Sequence, residues 1–170
     1  MEQRGRRTAK QIIGALEIWG GGAGLVAVLS NAPALATSGE GIVVLVCGTL
    51  FFSASVGAGV LLGLKREWGS EVSILLQALQ IPSIGGKVTY HLYSGAAAFL
   101  NFRGPDAAIQ FNVASGIELG YTANDALSLF GFNVLAAALF VYLVFAPEDD
   151  VVGWRSRSSS TTARTETLAD

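Results

Sequence analysis

A chain of 170 residues with 51% hydrophobic and only 14% charged residues lacks the charge that covers a soluble domain, where about 25% is usual. Something other than water must solvate its long uncharged tracts. The formal net charge of -2 argues against a nucleic-acid partner, which calls for a basic face to neutralise phosphates. Cys47 is the only cysteine, and no group of His, Cys and carboxylates has metal-ligand spacing, so no disulfide, metal or cofactor is expected.

Residues 1–11 carry Arg4, Arg6, Arg7 and Lys10, which marks the N-terminus as cytoplasmic if the next tract spans a membrane. That tract, Ile12 to Ala32, is long enough to span but contains Glu17 and ends beside Pro33. Three readings compete over Gly20 to Gly41. GAGLVA has the glycines of a dinucleotide loop, but Pro33 interrupts the helix that should follow, and the next apolar run is too long for a strand. Ala34-x-Ala36 after a basic start and an apolar tract suits a signal-peptidase site, against which stand Glu17 and the GGGAG run. The third reading is helix packing. Glu17, Gly20, Gly21, Gly24 and Val28 fall on one helical face, and small residues let helices approach closely in lipid.

Ile42 to Leu64 contains no charged residue and is the clearest predicted span. Its small residues form two stripes, Thr49, Ser53 and Gly57 on one and Ser55, Gly59 and Gly63 on the other. Residues 12–64 are therefore predicted as a transmembrane helical hairpin, with Lys65 and Arg66 returning the chain to the cytoplasmic side. Glu17 is either a residue that snorkels or pairs with Lys10, or a proton or cation site.

Residues 65–82 have Trp68, Val72, Leu75, Leu76 and Leu79 on one side and Ser70, Glu71, Ser73, Gln77 and Gln80 mostly on the other. This predicts an amphipathic helix ending before Pro82, placed along the inner membrane surface or with its apolar face covering the segment that follows.

Residues 83–125, expected to form a cytoplasmic β-rich module, change to a period of two. Val88, Tyr90, Leu92, Ala96, Ala98, Leu100 and Phe102 alternate with polar positions, as do Ile109, Phe111, Val113, Ile117, Leu119 and Tyr121, and Gly104-Pro105-Asp106 supplies a turn. A β-hairpin with Arg103 opposite Asp106 makes the apolar faces coincide. Ser94-Gly95 and Ser115-Gly116 meet at one level, so the strands bend there or the module is a four-stranded meander. The register sets His91, the only histidine, beside Glu118, either a solvated polar pair or an acid/base pair.

Ala126 to Ala146, with Asn133 as its one strongly polar residue, is predicted as a third span. It would carry residues 147–170, a Ser/Thr-rich polar tail expected to be disordered, to the outside. The expected fold class is membrane α with a small β module. Partners are the lipid bilayer and either further copies or another membrane protein, and the Ala- and Gly-rich composition suggests a bacterial inner membrane. The leading expectation for function is a self-associating or scaffolding component. The alternatives are a small oligomeric transporter or channel subunit using Glu17, Thr49 and Ser53, and, more weakly, a membrane enzyme using His91 and Glu118.

Overall fold

A computed structural model of the chain describes residues 2–103, 106–121 and 129–145. The described elements run α1 (Glu2–Ser30), α2 (Ala32–Leu35), α3 (Gly39–Gly63), α4 (Glu67–Gln80), β1 (Pro82–Gly85), β2 (Val88–Tyr93), β3 (Ala96–Arg103), β4 (Asp106–Val113), β5 (Gly116–Tyr121), β6 (Leu129–Asn133) and α5 (Val134–Phe145). Two of the helices, Thr8–Ser30 within α1 and the whole of α3, are long and apolar enough to cross a membrane, and well under half of each is buried.

α1 and α3 form a close antiparallel pair. The turn between them holds α2, with Pro33 in its first turn, and Ser38 caps α3 by accepting the Gly41 N–H at 3.1 Å. A Cβ at Gly14 would lie 2.8 Å from the Gly59 carbonyl oxygen, and one at Gly21 would lie 2.7 Å from that of Phe52. Main chain therefore meets main chain along this seam, which is what small residues permit. Only part of the predicted set of packing residues lies on it. Gly21, Gly24 and Gly59 do, and Ser55 is buried on the same side of α3. Gly57 and Gly63 have open space where a side chain would be, and Ser53 is exposed. Gly20 packs on the sheet instead, against Ser94 and Gly95.

At the end of α3, Lys65 takes a left-handed conformation (φ 57) and the N–H of Arg66 reaches back to Leu61 O at 2.9 Å. This type of helix stop reverses the chain, and α4 returns along α3, with Gly69 against Leu61 and Leu62, and Leu76 in one cluster with Phe51 and Phe52. The predicted helix forms, but its faces are reversed with respect to burial in a soluble protein. Ser73, Gln77 and Gln80 are buried, while Trp68 is 71% and Leu75 60% exposed. Of the predicted apolar stripe only Leu76 is fully buried. The helix packs beside α3 and against β1, β2 and α5, so its polar side faces protein.

The described strands form one antiparallel sheet in the order β4-β3-β6-β1-β2-β5. Arg103 pairs with Asp106, Leu100 with Ile109, Ala98 with Phe111, Leu92 with Ile117 and His91 with Glu118, the pairs that the alternation dictates. The long hairpin bends where β2 gives way to β3, at Gly95 (φ 84), and where β4 gives way to β5. The bend opens a gap between β2 and β3, which β1 and β6 fill. The module is thus neither a lone hairpin nor a four-stranded meander.

The third predicted span is not confirmed: its described part is β6 and α5, and no helix of spanning length is among them. Leu129–Asn133 is a strand paired with both β1 and β3, and the helix that follows has 12 described residues, about 18 Å at 1.5 Å per residue against a bilayer core of about 30 Å. The change of structure occurs at Asn133. Its buried side-chain Oδ1 accepts the Ala136 N–H at 3.2 Å, capping α5, and the Ala98 N–H of β3 at 3.1 Å. An asparagine that looks like a polar blemish in a span is an N-cap. Residues 147–170, which include the predicted polar tail, lie outside the described residues.

Candidate functional site

Two groups of polar side chains stand out, one inside the helices and one on the sheet. In the first, Glu17 is only 4% exposed. Its Oε1 accepts hydrogen bonds from the Ser73 hydroxyl and, at 3.2 Å, from the Gln77 amide, both on α4. Its Oε2 is buried without a hydrogen-bond partner. The partners are therefore on α4, not Lys10. Thr49 and Ser53, grouped with Glu17 as possible path-lining residues, are not assembled with it. Thr49 donates to Leu45 O within its own helix, at 2.7 Å, and Ser53 is exposed. Ser73 and Gln77 were legible only as the polar side of an amphipathic helix. A polar stripe next to a span with one carboxylate is the signal that could have paired them, and it went unused.

The second group lies on the concave face of the sheet. The rings of His91 on β2 and Phe99 on β3 have centroids 6.1 Å apart, although β1 and β6 separate these strands in the sheet order. Three strand spacings in a flat sheet would amount to about 14 Å, so the sheet curls with this face inward. Small residues in the centre, Ser83, Gly85 and Gly131, leave room for the large rings to close over them. The resulting cleft of about 360 Å³ is lined by His91, Tyr93, Asn101, Gln110, Asn112 and Glu118, among others.

Within this cleft His91 and Glu118 are cross-strand neighbours, as expected. The hydrogen bond of the His91 ring, however, joins Nδ1 to Ser83 Oγ at 2.9 Å. Ser83 is 0% exposed, so its hydroxyl orients the imidazole and is closed to a substrate. The arrangement holds a histidine still without presenting a nucleophile. Outside the cleft, Tyr90 donates to Leu79 O at 2.7 Å and ties the sheet to α4. Burial pushes the Tyr90 phenol above its ordinary range, which keeps that donor protonated.

The convex face carries the opposite chemistry. Ile109, Phe111 and Val113 on β4 are 66%, 76% and 76% exposed, and Val88, Phe130 and Tyr121 of the same face are also exposed. Helices cover this face around Tyr90, Leu92 and Ile117, which are in one cluster with Val28, Phe52 and Leu76. The sheet is seated against the middle of the helices, not beyond their ends. Ser115 donates its hydroxyl to Gly20 O, and Ile117 reaches Gly48.

Comparison with known protein families, with characterised proteins and with solved structures returned no match, so the functional reading rests on the residues themselves. Among the described residues no three His, Cys, Asp or Glu side chains are grouped to hold a metal ion.

Proposed function

We propose that the chain is an integral membrane protein that assembles with a second copy of itself through the edge of β4 that no described strand pairs with. The observation that carries this reading is the row Ile109, Phe111 and Val113, exposed on the end strand of the sheet. An end strand presents unpaired N–H and C=O groups. In hydrocarbon each such group costs several kcal/mol, and open sheet edges are not tolerated there. In water the apolar row is itself a site for edge-to-edge pairing. Either solvent drives β4 to find another strand.

A second β4 is a suitable partner. A two-fold axis perpendicular to the sheet keeps each face on its own side, so odd-numbered residues oppose odd-numbered ones and the apolar rows merge. Burying an apolar side chain of this size is worth about 1.5–3 kcal/mol. Six of them across the dimer therefore supply about 9–18 kcal/mol, comparable with the roughly 4–15 kcal/mol that association costs.

Membrane embedding is supported by the same inversion seen twice. α4 buries Ser73 and Gln77 and exposes Trp68 and Leu75, and the sheet curls its amides inward and its apolar residues outward, a pattern suited to a lipid exterior. In this reading α1 and α3 form the spanning hairpin. The N-terminal segment that contains Arg4, Arg6, Arg7 and Lys10 and, at the same end of the pair, the Lys65–Arg66 turn are on the cytoplasmic side. In this reading the first helix is retained, because Glu17 and Gly20 within it contact α4 and the sheet.

Single cysteines at positions 107–113 in a Cys47→Ala background test the assembly. Oxidation in native membranes is expected to give dimers of the chain at one or two adjacent positions, those nearest the two-fold axis. Only monomer at every position, or crosslinks to a different protein, overturns self-assembly through β4.

A further inference from the structure

Self-assembly through β4 makes no use of Glu17, the one carboxylate in the described chain that is almost wholly buried among helices. Its surroundings do not neutralise it. The other titratable side chains described on the elements packed around it are Lys10 on α1, Glu40 and Cys47 on α3, Glu71 on α4 and Tyr142 on α5, and none of them forms a hydrogen bond or ion pair with it. Two neutral donors serve one carboxylate oxygen and nothing serves the other. A buried ionised carboxylate without a compensating positive charge is strongly disfavoured.

The oxygens needed to accommodate such a charge are at hand. Ser73 is 0% exposed and carries its hydroxyl against Glu17, and the Gln77 amide lies beside it. On α3, Ser55 is 1% exposed and its hydroxyl is also without a partner. The contacts of Gly14 with Gly59 and of Gly21 with Phe52 bracket the level of Glu17 on α3, and Ser55 falls between them. Carboxylate and hydroxyl oxygens from three helices are hard ligands of the type that suits a proton or a small alkali cation, and the Gln77 amide turns its Nε2 to Glu17 Oε1 beside them.

We infer that Glu17, Ser73, Gln77 and Ser55 form a binding site for one monovalent cation, a proton or a sodium ion, inside the helical body. As a proton site, Glu17 Oε2 gains an O–H, which turns the oxygen left without a partner into a donor. As a sodium site, the carboxylate stays ionised, the Ser73 and Ser55 hydroxyls add oxygens, and the Gln77 amide turns over to offer its Oε1 in place of Nε2.

The test uses the full-length protein in nanodiscs, with infrared spectra and thermal unfolding at neutral pH in sodium chloride and in choline chloride of equal ionic strength. A protonated-carboxyl C=O band that disappears in Glu17→Gln identifies the bound cation as a proton. An unfolding temperature raised in sodium relative to choline by roughly 2–4 °C, as for about 1 kcal/mol of ligand stabilisation in a chain of this size, and insensitive to sodium in Glu17→Gln, identifies it as sodium. Should Glu17→Gln fail to fold, Ser73→Ala takes its place, and the band is expected to shift or the sodium response to weaken. Wild-type protein with neither the band nor the sodium response overturns the proposal.

Discussion

Alanine at Gly21 and alanine at Gly57 are the same chemical change in two helices, with opposite outcomes expected. Each gains about 1 kcal/mol of helix propensity over glycine. At Gly57 nothing stands within 4 Å of the new Cβ, and the gain is kept. At Gly21 the Cβ would lie 2.7 Å from the Phe52 carbonyl oxygen and 2.9 Å from the Val56 nitrogen. Both are main-chain atoms, so no side-chain rotation relieves the clash and α1 must move away from α3. Overpacking of this kind costs about 1–3 kcal/mol, and the difference between the two variants isolates it because the propensity term cancels. At roughly 2–4 °C per kcal/mol for a chain of this length, Gly57→Ala should unfold several degrees above Gly21→Ala when both are followed by circular dichroism in the same detergent. Equal unfolding temperatures, or Gly21→Ala the more stable, would refute the helix pairing described above.

Further outcomes follow from other contacts. Asn133→Ala removes the acceptor for two backbone N–H groups, at Ala98 and Ala136, and should cost about 2–4 kcal/mol in equilibrium unfolding. Phe111→Asp places a charge in the exposed β4 row and is expected to shift the protein from dimer to monomer in light scattering of detergent complexes, with unchanged circular dichroism. Trp68, 71% exposed on the outward side of α4, should be quenched by lipids brominated along their acyl chains. A Trp68→Phe variant that loses none of the quenching would place that side of the helix outside the bilayer.

Much of the architecture could be read from residue order, and the failures have physical causes. The register of β2–β5 was legible because two strictly alternating runs flank a turn, and a slip by one residue would oppose apolar to polar at every pair. α3 was legible from its length without charge. β6 was not, because Leu129 to Phe145 is apolar almost throughout, and a continuous apolar run does not distinguish strand from helix. Only the capping role of Asn133 divides it. Amphipathicity located α4 but did not determine its inward side. That depended on Glu17, 56 positions from Ser73 in sequence, offering a polar group for the polar side to meet. The site was half visible for the same reason. Glu17 and the His91–Glu118 neighbours were apparent, whereas Ser73, Gln77 and Ser83 became partners only when distant segments came together.

The seat of the sheet on Gly20 has a mechanical consequence for α1. Successive residues of an α-helix are rotated by about 100°, so a rotation of α1 by one position would replace the bare surface of Gly20 with the indole of Trp19, already within 3.9 Å of a Cβ at Gly95, or break the Ser115 bond to the Gly20 carbonyl. The corner of the sheet works as a key in a slot, fixing the azimuth of α1. Glu17 stands one turn from that slot, so the sheet corner also sets the direction in which the buried carboxylate points.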